Sequence, residues 1–149
     1  MNPFDDYLRE HRRIDELARV LEWMTRRPER RPAGDFLALR TSFAQLVIGH
    51  LKREERAVYE PLRAGLRREK EAVSARTWLE LGDFSPTFAE YGRRWTRPSI
   101  AADWRGYCAE TRFILARLRE RAAVEEATLY PLVELEHMAR ARRLMRPAA

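Results

Sequence analysis

Apolar side chains recur along this chain at three- and four-residue steps, the period of one face of an α-helix. Phe4, Tyr7, Leu8, Ile14, Leu17, Ala18, Leu21 and Met24 form the first such stripe, and His11 lies inside it. Asn2 and Pro3 are a good N-cap and first-turn pair, and Asp5 and Asp6 complement the positive pole of the helix dipole. The helix is predicted to stop before Pro28, since the residue ahead of a proline is pushed out of helical geometry. Pro28 to Gly34 reads as a polar loop. A second stripe of Phe36, Leu39, Phe43, Leu46, Val47 and Val58 then predicts a helix from near Asp35, a plausible N-cap, to about Leu66. Pro61 should bend that helix or end it a turn there, because proline removes a backbone donor and crowds the preceding turn.

The third segment is less regular. Arg68 to Leu81 reads as helix, Gly82-Asp83-Phe84 breaks it, and Ser85-Pro86 looks like a fresh N-cap for a shorter piece from Thr87 to Trp95. Arg97-Pro98-Ser99 then opens the longest helix. It carries Ile100, Trp104, Tyr107, Cys108, Thr111, Leu115, Leu118, Ala122, Glu125, Leu129 and Leu132 on one side and continues past Pro131 to about Arg143. Four helices joined by short connections predict an all-α fold, an antiparallel up-down-up-down four-helix bundle whose third helix is interrupted. At 149 residues the whole chain, 1–149, is expected to be a single domain with one real core.

Composition narrows function more than fold. With 35% charged residues and no apolar run of membrane-spanning length, the chain is expected to be cytoplasmic and to have no membrane partner. Cys108 is the only cysteine, which excludes an intramolecular disulfide and a cysteine-based zinc site; it is expected to be a small core residue. The net charge of +6 suggests nucleic acid. The arginines behind it are spread along the chain beside acids at helical spacing, however, the pattern of a salt-bridged surface, so no nucleic-acid partner is expected. Only Arg140, Arg142, Arg143 and Arg146 concentrate charge, to meet an acidic partner or simply to complement a helix end.

The chemistry lies in one near-repeat. His50 and Glu54 are four residues apart, so a helix presents them on the same face, and that face belongs to the apolar stripe. Downstream, Glu125-Glu126-Ala127-Thr128-Leu129-Tyr130-Pro131 echoes Glu54-Glu55-Arg56-Ala57-Val58-Tyr59-Glu60-Pro61, with Arg121 where the histidine stood. Buried imidazoles and carboxylates converging from several helices suit iron, zinc or manganese and must be paired or coordinated to be tolerated in a core.

These segments resemble the hemerythrin-like family, the HHE cation-binding domain, over nearly the whole chain. The matching motifs are His11-Arg12-Arg13-Ile14-Asp15-Glu16-Leu17, His50-x-x-x-Glu54-Glu55-x-x-Val58-Tyr59-x-Pro61, and Glu125-Glu126-x-x-Leu129-Tyr130-Pro131. The resemblance implies a four-helix bundle around a non-haem di-iron centre that binds dioxygen or serves as an iron or redox sensor. It places His11 and His50 as first- and second-helix ligands, and Glu54 and Glu125 at the carboxylate positions that bridge the metals. The ligand set is reduced: residues 68 to 95 contain no histidine, Arg121 replaces another, and His137 falls beyond Pro131 and outside the centre. Glu90, Tyr91 and Asp83 are possible third-helix substitutes.

Two readings result, ahead of a third and weaker one, a basic helical nucleic-acid binder. In the first, His11, His50, Glu54 and Glu125 bind iron, one or two ions, for oxygen, iron or redox sensing or storage, with dioxygen and an unidentified protein as further partners. In the second, the bundle is metal-free and acts as a sensing or protein-interaction module, with Arg121 bridging Glu125 and Glu54 in place of a metal. If Arg121 instead turns outward, it pairs with Glu120 or Glu126. No nucleophile, base and orienting group can be assembled, so enzymatic activity is not expected. Tyr59 and Tyr130 read as core tyrosines with satisfied hydroxyls, and Trp23, Trp78, Trp95 and Trp104 as core or interface aromatics.

Overall fold

The computed structural model describes residues 2–29, 36–66 and 84–146. Among them there is no strand; the helices are α1 (Asp5–Thr25), α2 (Phe36–Glu54), α3 (Glu60–Leu66), α4 (Phe84–Arg94), α5 (Arg97–Ala102), α6 (Trp104–Val124) and α7 (Tyr130–Leu144). Two five-residue π-helical turns, Glu55–Tyr59 and Glu125–Leu129, join α2 to α3 and α6 to α7 without a break. α1 packs against α2 and α6, α3 against α7, and α4 against α2 and α6, which makes a helical bundle.

The apolar stripes bury as two separate clusters. One holds Ile14, Leu21, Val47, Tyr91, Leu115 and Leu118 among others; the second holds Phe4, Val58, Tyr59, Leu62, Leu129, Tyr130 and Val133. Between these clusters lie buried polar residues: His11 on α1, His50 and Glu54 on α2, Arg121 on α6 and Glu125 in the π turn after it. A buried charged layer thus lies between two hydrophobic ones, where screening by water is reduced.

The prolines explain the π turns. Pro61 has no N–H for the carbonyl four residues back, and its ring crowds that carbonyl. The turn ahead of it widens instead, with the Glu60 N–H bonded to the Glu55 carbonyl, and the Tyr130 N–H makes the same five-residue step to Glu125 ahead of Pro131. The helix runs through Pro61 to Leu66, the end read from the sequence, and the π turn is the interruption that accompanies the proline. A wide turn takes up one extra residue, so positions five apart return to one face. Glu54 and Tyr59 are both buried, as are Glu125 and Tyr130.

Other boundaries differ from expectation for local reasons. Asn2 accepts the Phe4 N–H at 2.9 Å and closes a turn around Pro3, so α1 starts at Asp5. It ends at Thr25, ahead of Pro28, where the threonine hydroxyl donates back to the Leu21 carbonyl at 2.9 Å. Phe84 is already helical, so the N-cap read at Ser85-Pro86 is displaced; the helix and break read from Arg68 to Asp83 lie outside the described residues. The helix opening at Arg97 is not continuous. Thr96 caps α5, and Asp103 leaves helical geometry to accept the Gly106 N–H at 2.9 Å, capping α6 afresh. A Cβ at position 106 would collide with that carboxylate, so glycine allows the close cap. Cys108, Trp95 and Trp104 are buried as read, whereas Trp23 is 69% exposed on α1 and belongs to no core cluster.

A candidate metal centre in the buried polar layer

His11 comes from α1, His50 and Glu54 from α2, and Glu125 from the wide turn after α6. One nitrogen or carboxylate oxygen of each lies within 4.8 Å of those of the others, and all four residues are buried. His11 Nε2 is 3.2 Å from Glu125 Oε2 and 3.7 Å from Glu54 Oε1; His50 Nε2 is 3.3 Å from the same Glu54 oxygen. The four residues named from the sequence are therefore brought together.

Both imidazoles are oriented from behind. His50 Nδ1 faces Glu10 Oε2 at 2.6 Å, and His11 Nδ1 faces Glu126 Oε1 at 2.7 Å. A carboxylate on Nδ1 holds a proton on that nitrogen and turns Nε2 inward, so that the neutral ring offers its lone pair to the centre, the arrangement that supports metal-ligating histidines. Two inward nitrogens and two inward carboxylate oxygens fit one hard or borderline cation. Glu10 is in turn held by Arg53.

The remaining carboxylate oxygens face Arg121. Its Nε donates to Glu125 Oε1 at 2.5 Å and its Nη2 to Glu54 Oε2 at 3.3 Å. The guanidinium is buried; the Tyr59 ring lies 4.6 Å from its carbon and the Phe84 ring 5.8 Å. The outward pairing with Glu120 or Glu126 does not occur. Two tyrosines cross between the π turns: Tyr59 donates to Glu125 Oε1 at 2.6 Å, and Tyr130 donates to Glu54 Oε1 while lying 3.2 Å from His11 Nε2. Their hydroxyls are satisfied, but by the site's own carboxylates.

Electrostatics follow from this packing. Burial alone would lower the His11 pKa, but hydrogen bonds to Glu125, Glu54 and Glu126 outweigh it and push it up to about 10. Burial would raise the Glu54 carboxyl, but His11, His50 and Arg121 hold it well below the usual range. Burial, followed by the charges of Glu54 and Glu125, keeps the Tyr130 phenol protonated far above its ordinary value. Without a cation, then, a proton on His11 and the charge on Arg121 balance the two glutamates. A cavity of about 30 Å³, lined by Ile14, Ala18, Leu118 and Ala122 beside His11 and His50, adjoins the cluster and has room for a water-sized molecule.

Neither Glu90 nor Tyr91 reaches the centre. Glu90 pairs with Arg93 on the surface, and Tyr91 exchanges a hydrogen bond with Thr111 at 2.7 Å; Asp83 lies outside the described residues. His137 is exposed on α7, as read. Sequence reasoning missed Glu10 and Glu126. The Glu-Glu pair of the near-repeat marked Glu126, yet its counterpart Glu55 merely pairs with Arg63 on the surface. Nothing in the spacing marked Glu10.

No helix among the described residues is long and apolar enough to cross a membrane. No curated protein and no solved structure matches the chain. The family model of the hemerythrin HHE cation-binding domain matches residues 2–133, which include the whole polar layer. The chain belongs to the hemerythrin HHE cation-binding family.

Proposed function

We propose that this protein is a single-domain, up-down-up-down antiparallel bundle that binds one non-haem iron ion through His11, His50, Glu54 and Glu125, in an oxygen, iron or redox sensing or storage role. The observation that carries this reading is the pair of inward Nε2 atoms, each backed by a carboxylate on Nδ1, facing two buried carboxylate oxygens. Iron in this site would supply reversible one-electron chemistry and open coordination positions. The chain's own residues do the rest: Glu10 and Glu126 orient the imidazoles, and the two apolar clusters exclude water. Arg121 takes the oxygens that would otherwise be shared with a second ion, so one ion is the expected stoichiometry.

One observation favours the metal-free reading. Arg121 and a protonated His11 already neutralise Glu54 and Glu125. In that case the layer is a structural salt-bridge cluster, and the bundle acts as a sensing or protein-interaction module. Elemental analysis of tag-free protein from iron-supplemented medium separates the two. About one iron per chain, lost in both His50→Ala and Glu54→Ala, supports the first reading; protein carrying no iron, manganese or zinc removes it.

A further inference from the structure

The donor set contains one oxygen more than the histidines and glutamates provide. The Tyr130 hydroxyl donates to Glu54 Oε1 and lies 3.2 Å from His11 Nε2, so it touches two of the inward donors rather than standing behind them. The Tyr59 hydroxyl differs. Its partner is Glu125 Oε1, the oxygen that also accepts from Arg121, on the side away from the histidines. The Tyr130 ring is fixed: it is 4% exposed, stacked on Phe4 with centroids 4.7 Å apart and planes 2° apart, and 5.8 Å from the His11 ring at 19°. Its hydroxyl cannot swing out of the centre without breaking that stack.

We propose that Tyr130 is a fifth ligand, a phenolate oxygen that selects trivalent over divalent metal at this centre. The inference rests on the cation-binding reading above. Charge is its second support. Arg121 neutralises one of the two inward glutamates, leaving about one negative charge for the ion, and a phenolate adds the anionic, hard oxygen that a trivalent ion favours. On ligation the O–H bond breaks, the oxygen keeps the electron pair and donates it to the ion, and the proton leaves to solvent. No electron is transferred in that step.

The test uses the full chain, stripped with chelator and reloaded with ferric ion as its citrate complex, or with zinc. Metal content is measured on each sample, together with the visible absorption and resonance Raman spectra. Ferric wild-type protein is expected to show a visible charge-transfer band with enhanced phenolate ring vibrations. Tyr59→Phe should keep it; Tyr130→Phe should lose it and bind ferric ion more weakly while holding zinc at the wild-type stoichiometry, which also shows that the variant is folded. Ferric ion bound without the band, or a band that survives in Tyr130→Phe, overturns the fifth ligand and leaves the cation reading intact. Wild-type protein that takes up neither ferric ion nor zinc overturns both.

Discussion

The Arg121 guanidinium donates from Nε to Glu125 Oε1 at 2.5 Å across one helical turn, fully inside the bundle. Four residues is also the His50-to-Glu54 spacing, so the cation sits on its helix where the imidazole sits on the other. Removing one partner of a buried pair leaves the other charged and unsolvated, at a cost of about 3–5 kcal/mol. Arg121→Ala in metal-stripped protein should lose stability on that scale in urea unfolding; a loss below about 1 kcal/mol, typical of exposed pairs, would contradict the buried geometry. Arg121→His should raise iron per chain above one, because it frees two carboxylate oxygens and adds a nitrogen.

Glu126→Gln and Glu10→Gln test the orienting carboxylates. Replacing such partners weakens metal affinity by about 10- to 100-fold without removing a ligand. Competition against a chromophoric chelator should show that loss, with the far-ultraviolet circular dichroism unchanged. Glu55→Gln, the near-repeat counterpart on the surface, should leave affinity as it is.

The metal-stripped protein should have a stability optimum on the acid side of neutral. His11 is raised from 6.5 to about 10, so its contribution is complete below pH 6.5 and is lost as pH rises towards 10. Glu54 is depressed from 4.5, so its contribution is present above that value and is lost as pH falls below it. Urea midpoints should therefore peak between about pH 4.5 and 6.5, and His11→Gln should flatten the alkaline fall. An alkaline fall unchanged in His11→Gln would assign it to another group.

Arg119 fastens α6 to α1, reaching Glu22 with two hydrogen bonds at 3.0 and 3.1 Å and Asp15 at 3.1 Å. These groups are more than a third exposed, so solvent screening limits their worth to about 0–1 kcal/mol despite the depressed carboxyls. Arg119→Met should cost no more than that at neutral pH. The difference from wild type should vanish as pH falls through the carboxylate range, because the depressed groups stabilise only while ionised. A gap that persists at low pH would mean that the arginine acts through packing.

The sequence by itself determined the helical class, the inward faces of His11, His50, Glu54, Arg121 and Glu125, and the family, because each depends on spacing within one helix. Period and adjacency are local properties, and four residues of helix bring two side chains to one face whatever surrounds them. Only the tertiary structure decided which partners the buried groups take. Glu10 meets His50, Glu126 meets His11, and the two tyrosines cross to the opposite glutamates, all between residues 40 or more apart in the chain. The tyrosine pairings follow the π turns ahead of Pro61 and Pro131, which add a residue to the turn and bring Tyr59 and Tyr130 to the face of Glu54 and Glu125. Tyr59 and Tyr130 are core tyrosines with satisfied hydroxyls, as read; which carboxylates satisfy them could not be read from a regular helical period, which does not represent that extra residue. The break at Asp103 is different: it is local, a carboxylate capping Gly106 three residues on, and it was missed because the apolar stripe alone would continue the helix.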